Sequence, residues 1–153
     1  MAGAVQHLQT PFGRYHLRDC DGAIVAGGWR AMEGAAGSEL LNRAVVQLRS
    51  YFAGELTVFD LPIEIEAPDL VRTVCAALSA IPFGETRTYG ALAKELGQPA
   101  QGIGRACGRN PVAVIVPCHR VLGATGLGGF SAPGGVETKV GLLRLEGAGG
   151  LLI

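Results

Sequence analysis

A cysteine, a histidine and an arginine stand in consecutive positions after an apolar run at residues 110–123. The stretch reads NPVAVIVPCHRVLG, and the cysteine, Cys118, follows Pro117 directly. Runs of Val and Ile are typical of buried strands, so we expect a strand over 112–116 that ends at Pro117, because proline lacks a backbone N–H. The sequence therefore predicts that Cys118 lies where a rigid strand gives way to a loop, a position that suits a reactive group.

Two roles are open to Cys118 from the residues alone. As a nucleophile it must react as the thiolate, which requires a nearby base or positive charge, and His119 and Arg120 come next in the sequence. Neighbouring residues of a strand point to opposite faces, so contact between the thiol and the imidazole requires a turn or a bridging water. The alternative role is that of a buried, inert core thiol. A metal site is disfavoured, because the histidines are scattered and adjacent ligands do not have the spacing of zinc sites.

The composition indicates a folded protein of one domain or two small ones. The chain has 153 residues, of which 48% are apolar and 17% charged, and this excludes a disordered chain. No apolar run is long enough for a membrane span, and the N-terminal residues do not resemble a signal peptide, so we expect a cytoplasmic protein. Free thiols are therefore expected at all four cysteines, which are Cys20, Cys75, Cys107 and Cys118.

The net charge is zero, but the charges are unevenly distributed along the chain. Residues 1–69 carry five basic and nine acidic groups, whereas residues 84–120 carry five basic and two acidic groups. A basic segment beside an acidic one is compatible with a polyanionic partner on one face. Ordinary scatter of surface charge would give the same pattern.

Residues 1–67 are predicted to form a small antiparallel sheet with one helix. The segment 12–30 reads as two strands joined by a turn at Asp21-Gly22. Apolar residues at helical spacing then run from Ser38, a suitable N-cap, to Gly54, a suitable stop. Extended, proline-containing residues follow, and we place the domain boundary after residue 67.

Residues 68–153 are predicted to be mainly helical, which makes the fold class α+β. Asp69 can cap a first helix, and a short second helix ends at Gly97. Pro99 opens a third helix, and the last two together describe a helix-turn-helix, although pairs of helices are also common in protein cores. A final helix is expected over 137–147.

The third helix of this half is unusually poor in bulky residues. Its small residues are Ala100, Gly102, Gly104 and Ala106. Either a partner approaches the backbone of this helix closely, or the helix packs tightly against another helix of the same chain.

Three stretches of the C-terminal half resemble the O6-alkylguanine-DNA alkyltransferases, the methylated-DNA–protein-cysteine methyltransferases. They read IPFGETRTYGALA, GRACGRNPVAVIVPCHRVLG and GGFSAPGGVETKVGLLRLEG. The resemblance covers residues 70–147, and Pro-Cys-His-Arg between Asn-Pro and a glycine-rich loop is its most specific part. In the N-terminal half, YFAGELTVFDLP resembles the variable first domain of that family, which is ribonuclease-H-like. The resemblance favours the nucleophile over the inert thiol at Cys118.

The resemblance implies direct-reversal DNA repair, in which Cys118 irreversibly takes the alkyl group from O6-alkylguanine, with O4-alkylthymine as a further candidate substrate. The protein would be consumed in a single turnover, with no cofactor and no metal. The implied partner is double-stranded DNA, entered from the minor groove with the target base flipped out of the stack. We expect a monomer that works in the cytoplasm, at the nucleoid of a prokaryote.

The resemblance also implies catalytic roles around Cys118. His119 would hold the thiol as a thiolate through a water, and Glu146 would orient the imidazole. Tyr89 would donate toward the guanine ring, and Lys139 would assist electrostatically. From the residues alone, Tyr89 is an ordinary amphipathic-helix residue, and the other two are ordinary charges on a helix surface.

Further residues are implied to hold the substrate. Asn110 would brace the turn before the apolar run. Ser131, Phe130 and the backbone at Val121 would bind the guanine, and the carbonyl of Cys118 would accept from its exocyclic amine. The residues implied to bind DNA are Thr88, Gln101, Gly102, Arg105, Arg109 and Arg120.

Two positions depart from the pattern of the family. Relatives place an arginine early in the second helix of the pair, where it fills the gap left by the flipped base, and this chain has Gln101 there. Arg105 lies one turn later on the same helical face. Cys75 stands where relatives carry tryptophan, which predicts a repacked core. Gln101 keeps open an alkyl acceptor for small molecules, and a non-catalytic lesion-binding relative is the other alternative, which the intact Cys118 disfavours.

Overall fold

The structure, a computed structural model, describes residues 3–123, 126, 128 and 134–148. Its contacts divide the chain into two compact units. The first unit contains Met1–Glu66 and Pro111–Ile115, and the second contains Ala67–Asn110 and Val116–Ile153. The chain thus returns to the first unit after entering the second, and a single domain boundary at residue 67 does not describe that return.

A four-stranded sheet forms the centre of the first unit, with the strand order β3-β2-β1-β4. Its strands are β1 (Ala4–Thr10), β2 (Gly13–Cys20), β3 (Ala23–Gly28) and β4 (Ala35–Ala36). The predicted hairpin is confirmed as β2 and β3, and Asp21 and Gly22 both have the positive φ that a tight two-residue turn requires. The short strand β4 runs parallel to β1, so the sheet is mixed and not purely antiparallel.

The predicted helix of the first unit is confirmed as α1 (Glu39–Phe52). The Ser38 hydroxyl accepts a hydrogen bond from the Leu41 N–H at 3.0 Å, which satisfies one of the free donors of the first turn. Gly54 follows the helix end with a φ of +78°. The apolar stripe of α1 is buried and includes Leu41, Leu48 and Tyr51.

Four helices dominate the second unit. They are α2 (Asp69–Ser79), α3 (Tyr89–Leu96), α4 (Ala100–Gly108) and α5 (Val136–Leu145). Two short parallel strands, β5 (Arg87–Thr88) and β6 (Val121–Leu122), pair beside them. The expectation that Asp69 caps α2 is wrong: Pro68 occupies the N-cap, and Asp69 is the first helical residue. Its carboxylate there still favours the helix through the positive end of the helix dipole.

The predicted helix pair is confirmed as α3 and α4. The Thr88 hydroxyl accepts from the Ala91 N–H at 3.0 Å and so caps α3. Gly97 ends α3 in the left-handed conformation, and Pro99 precedes the first residue of α4. The two helices pack against each other across this short connection. No helix in the described part of the chain is long and apolar enough to cross a membrane.

The strand expected over 112–116 is absent from the structure. Val112 forms a single bridge to Gly27, held by hydrogen bonds from the Gly27 N–H to Pro111 and from the Ala113 N–H back to Gly27. Val114 then adopts a φ of +73°, and the chain turns. The Val side chains are buried as a strand would bury them, so the apolar pattern reports burial correctly and secondary structure wrongly.

Candidate active site

Cys118 lies in a single 3₁₀ turn that comprises Cys118–Arg120. The turn begins at Pro117, whose carbonyl accepts from the Arg120 N–H at 3.0 Å. A 3₁₀ turn directs three successive side chains about 120° apart, so the alternation of a strand does not apply here. All three side chains are buried, and the His119 imidazole has no exposed surface.

The residue after α5 joins two members of this turn. Glu146 is almost fully buried, and its Oε2 lies 2.7 Å from His119 Nε2. Arg120 donates to the same carboxylate through both Nε and Nη2, at 2.8 and 2.9 Å. The burial of Glu146 excludes the interpretation of this residue as a helix surface charge.

The carboxylate determines which nitrogen of His119 carries the proton. An ionised Glu146 can only accept, so Nε2 carries the hydrogen and Nδ1 presents a lone pair. Nδ1 is buried and has no hydrogen-bond partner among the described residues. Burial lowers the pKa of the His119 imidazole; Glu146 acts in the opposite direction, and the cations of Arg120 and Lys139 lower the pKa further. His119 is therefore a neutral imidazole with an available acceptor nitrogen.

A second buried cation lies beside the cysteine. Lys139 of α5 has no exposed surface, and its Nζ donates to the Val121 carbonyl at 2.6 Å. The same Nζ lies 5.6 Å from the centre of the Tyr89 ring. Burial lowers the pKa of Lys139, whereas the nearby thiols of Cys118 and Cys107 would raise it as thiolates.

Cys118 is a protonated thiol in this environment. Burial raises the pKa of the Cys118 thiol, and a hydrogen bond from Asn110 and the charge of Lys139 partly oppose that effect. A buried thiol of this kind needs a base to react. Lys139 supplies a positive charge at this position, and His119, the next residue in the same turn, has an acceptor nitrogen without a partner among the described residues.

Asn110 connects the end of α4 with the segment that leads to the cysteine. Its Nδ2 donates to the Val116 carbonyl at 2.8 Å. The Cys75 thiol of α2 donates to Asn110 Oδ1 over 3.8 Å. These contacts fit the bracing role that the sequence analysis assigned to Asn110.

Tyr89 is the first residue of α3 and is partly buried. Burial raises the pKa of its hydroxyl to about 12, and the thiols of Cys107 and Cys118 contribute to the rise. The hydroxyl is therefore a neutral donor at neutral pH.

The helix pair presents an exposed polar surface. The side chains of Thr88, Gln101, Arg105 and Arg109 are exposed. A Cβ built on Gly104 would meet nothing within 4 Å, and one on Gly102 only an atom of Pro99 at 3.9 Å. Tight packing within the described chain therefore does not explain these two glycines, whereas Ala106 is buried in the core.

Two expected site residues do not fit their assigned roles, and two lie outside the described residues. Arg120 is 6% exposed and bound to Glu146, so its guanidinium does not reach a DNA backbone. Both backbone groups of Val121 are already hydrogen-bonded within the chain, the N–H to the Cys118 carbonyl and the carbonyl to Lys139. Ser131 and Phe130 belong to the part of the chain that the structure does not describe.

The pairing of Arg120 with Glu146 is the contact that the sequence analysis missed. The two residues are 26 positions apart, and no local pattern connects them.

Within the described residues there is no group of three or more His, Cys, Asp or Glu side chains that could hold a metal ion. The described cysteines are all free thiols.

Comparison with known proteins gives consistent results. Residues 69–148 match the family described as 6-O-methylguanine DNA methyltransferase, DNA binding domain. The chain is 50% identical over 106 residues to a methylated-DNA–protein-cysteine methyltransferase of Mycolicibacterium paratuberculosis, covering 67% of this chain and 63% of the relative. It is 48% identical over 113 residues to a protein of the same name from Methanosarcina acetivorans, covering 72% and 71%.

The fold is also similar to solved structures. A Mycobacterium tuberculosis OGT in complex with DNA superimposes with a TM-score of 0.85 at 38% identity, covering 95% of this chain and 93% of that one. An O6-methylguanine DNA methyltransferase from Methanococcus jannaschii gives a TM-score of 0.70 at 27% identity, covering 97% and 96%. The match to the first of the curated relatives spans less than two thirds of that relative's length.

Proposed function

The chain belongs to the 6-O-methylguanine DNA methyltransferase family, and from this premise we propose that it repairs DNA by moving the alkyl group of O6-alkylguanine irreversibly to Cys118. The observation that carries the proposal is the buried Cys118 beside a neutral His119 and the buried cation of Lys139. A cysteine of the inert core would need neither group.

The proposed step is one displacement. A lone pair of Cys118 Sγ forms a bond to the alkyl carbon, the bond from that carbon to O6 breaks, and its electron pair stays on the guanine. The thiol proton passes to Nδ1 of His119, directly or through a water. The product is a thioether, which is stable and is not turned back into a thiol, so each chain acts once and needs no cofactor.

Tyr89 and Lys139 act on the charges that develop during this step. Negative charge grows on the departing guanine, and a neutral hydroxyl donor aimed at it stabilises the transition state. Tyr89 remains protonated because burial raises its pKa to about 12. The Lys139 cation favours the thiolate of Cys118 during the attack.

DNA binding is assigned to α3 and α4. The target atom lies inside a stacked duplex, so the base must be flipped out before Cys118 can reach it. In our proposal α4 enters the minor groove, where Gly102 and Gly104 let its backbone approach closely, and the exposed Arg105 and Arg109 contact phosphates. Thr88, the N-cap of α3, and Gln101 of α4 complete the proposed DNA-binding surface. Readout in the minor groove is degenerate, which suits a search for damage in any sequence.

The remaining assignments are proposals of the same kind. Ser131 and Phe130 bind the guanine, and O4-alkylthymine is a second substrate. The protein acts as a monomer in the cytoplasm, and its first unit has a ribonuclease-H-like fold.

A transfer assay tests the proposal. Duplex DNA with a labelled O6-methyl group is mixed with the unmodified protein and with Cys118→Ala, and label on the protein is counted. We expect label on the unmodified chain and none on Cys118→Ala, while Cys20→Ala, at a cysteine outside the site, keeps full transfer.

Binding of duplex DNA by Cys118→Ala is expected to persist. If the unmodified protein binds the methylated duplex but takes no label, it is a lesion-binding relative. If it takes label from the free base O6-benzylguanine but not from the duplex, the small-molecule acceptor that Gln101 leaves open is correct instead.

A further inference from the structure

We propose that Arg120 is a positioning residue of the alkyl-transfer site, which orients Glu146 and balances its charge and thereby keeps His119 a neutral base for Cys118. This inference rests on the proposed function, and it replaces the expectation that Arg120 binds DNA. The evidence is the three-sided anchoring of one guanidinium inside the second unit.

The guanidinium engages both oxygens of the carboxylate. Nε donates to Glu146 Oε1 at 2.8 Å and Nη2 donates to Oε2 at 2.9 Å, which is the bidentate geometry that fixes a carboxylate in position and orientation. Oε2 also accepts from His119. The orientation that Arg120 gives to Glu146 is therefore transmitted to the imidazole ring.

The arginine is itself held from two other directions. Nη1 donates to the Ile81 carbonyl at 2.6 Å, just beyond the end of α2. The guanidinium carbon lies 5.9 Å from the centre of the Phe83 ring. A lysine has a point charge and no planar fork, so it could supply the charge but not this set of contacts.

The charge of Arg120 balances that of Glu146 next to the base. The groups that act on His119 from α5 and the residue after it are Lys139 and Glu146, and the one from its own turn is Arg120. The helix α2 also packs against this turn, and its charged residues Asp69 and Arg72 are exposed to solvent.

Removing Arg120 would leave the Glu146 carboxylate without this compensating charge. The carboxylate would then stabilise a protonated imidazole, because an opposite charge nearby favours the charged form. A protonated His119 cannot take the thiol proton. The expected result is a shift in the pH dependence of the reaction as well as a slower rate.

The test is the pH profile of single-turnover methyl transfer from a saturating methylated duplex. In Arg120→Met the acid limb should move to higher pH, because His119 then becomes neutral only at higher pH. Arg120→Lys keeps the charge and should shift the limb less. Arg144→Met removes an exposed arginine from α5, outside the site, and should leave the profile unchanged.

The double variant Arg120→Met with Glu146→Gln separates charge from packing. The glutamine can still accept from His119 but has no charge, so the acid limb should return toward lower pH. The proposal would be overturned if the acid limb of the pH profile did not move in Arg120→Met. It would also be overturned if the double variant showed the same displaced acid limb as Arg120→Met alone.

A measurement on the unmodified protein keeps the inference testable if these variants do not fold. Imidazole ¹⁵N spectra, assigned with His119→Gln, should show His119 neutral at pH 7 with its proton on Nε2. An imidazolium signal would contradict the inference. The spectra do not depend on repair activity, so failure of the proposed function, seen as no methyl transfer by unmodified protein, is distinguishable from failure of this inference.

Discussion

The buried ammonium group of Lys139 is the residue whose chemistry is simplest to isolate. It lies beside Cys118 on a helix that also contains the exposed Arg144. We predict that Lys139→Met slows methyl transfer about 100-fold, the lower end of the loss typical of removing one aligned electrostatic group. The reason is that the thiolate forms without its neighbouring cation.

Single-turnover rates measure this effect, and Arg144→Met is the matched control because it removes a positive charge from the same helix outside the site. An equal loss of rate in both variants, or no loss in Lys139→Met, would contradict the role assigned to Lys139.

Residue identity alone marked Cys118 as a candidate nucleophile, left an inert core thiol as the alternative, and did not reveal its partners. Cys118 was recognisable as a candidate because its neighbours in the sequence are informative: Pro117 ends the apolar run, and His119 follows. From the sequence, Glu146 and Lys139 resemble surface charges, because their burial depends on contacts with residues far away in the chain. Glu146 contacts His119, which lies 27 positions earlier, and Lys139 contacts Val121, which lies 18 positions earlier. Only the family resemblance indicated them before the structure was known.

The helix α4 allows a prediction in which stability and binding change in opposite directions. Gly104 lies in the interior of α4, and an added Cβ there meets nothing within 4 Å. Gly104→Ala should therefore stabilise the protein by about 0.5–1 kcal/mol, because alanine is the better helix former. The same methyl group should weaken duplex binding if the backbone of α4 approaches the DNA closely.

Urea unfolding and a binding titration on the same variant test both halves of this prediction. A stabilised protein with unchanged affinity for DNA would show that the α4 backbone does not approach the groove at Gly104.

Gln101 and Arg105 allow a second prediction about α4. Flipping a base leaves a hole in the stack, and unstacking costs a few kcal/mol. If flipping limits the reaction, Gln101→Arg should speed transfer from a duplex several-fold and leave transfer from free O6-benzylguanine unchanged. If Arg105 already fills the hole, Arg105→Ala should slow only the duplex reaction, and Gln101→Arg should add little.

Single-turnover rates on both substrates separate these cases. An unchanged ratio of duplex to free-base rates in both variants would show that neither side chain fills the space left by the flipped base.

At the scale of elements, the sequence predicted helices better than strands. The ends of α1 and α3 carry local signals, such as Ser38 before one helix and Gly97 after the other, and these act within one turn. The apolar pattern of residues 112–116 indicates only that the side chains are buried. A bridge followed by a turn buries them as well as a strand would. Its pairing with Gly27 depends on a residue 85 positions earlier, which no local pattern reveals.

The whole molecule should lose stability in alkaline solution because of its buried thiols. Burial raises the pKa of Cys75 from 9.0 to about 11 and that of Cys107 from 9.0 to about 12. Between pH 9 and these raised pKa values, the folded state keeps protons that the unfolded chain has lost. The contribution of the two thiols to the free energy of unfolding is therefore complete below pH 9 and falls as the pH rises toward their pKa values in the folded state.

We expect the free energy of unfolding in urea to fall from pH 9 toward pH 11, and to fall less steeply in Cys107→Ala. Lys139 acts with the opposite sign, because burial lowers its pKa and the unfolded chain binds the proton more readily. The difference between the unmodified protein and Cys107→Ala isolates the thiol. Identical slopes in the two proteins would contradict this interpretation.

The arrangement of the whole chain was the least predictable feature. The chain length allowed two small units, and an extended segment that contains Pro62 and Pro68 indicated where the first one ends. The return of Pro111–Ile115 to the first unit is a long-range event that composition does not encode. It assigns Ile115 to the first unit and Val116, two residues before the nucleophile, to the second.

The central claim is that Cys118 accepts one alkyl group and then stops. Intact-protein mass spectrometry after mixing with excess O6-methylguanine duplex, followed by peptide mapping, tests it most directly. We predict a gain of one methyl group per chain, located on Cys118, with no further gain on longer incubation. An unchanged mass, more than one methyl group per chain, or a methyl group on Cys20, Cys75 or Cys107 would contradict the account.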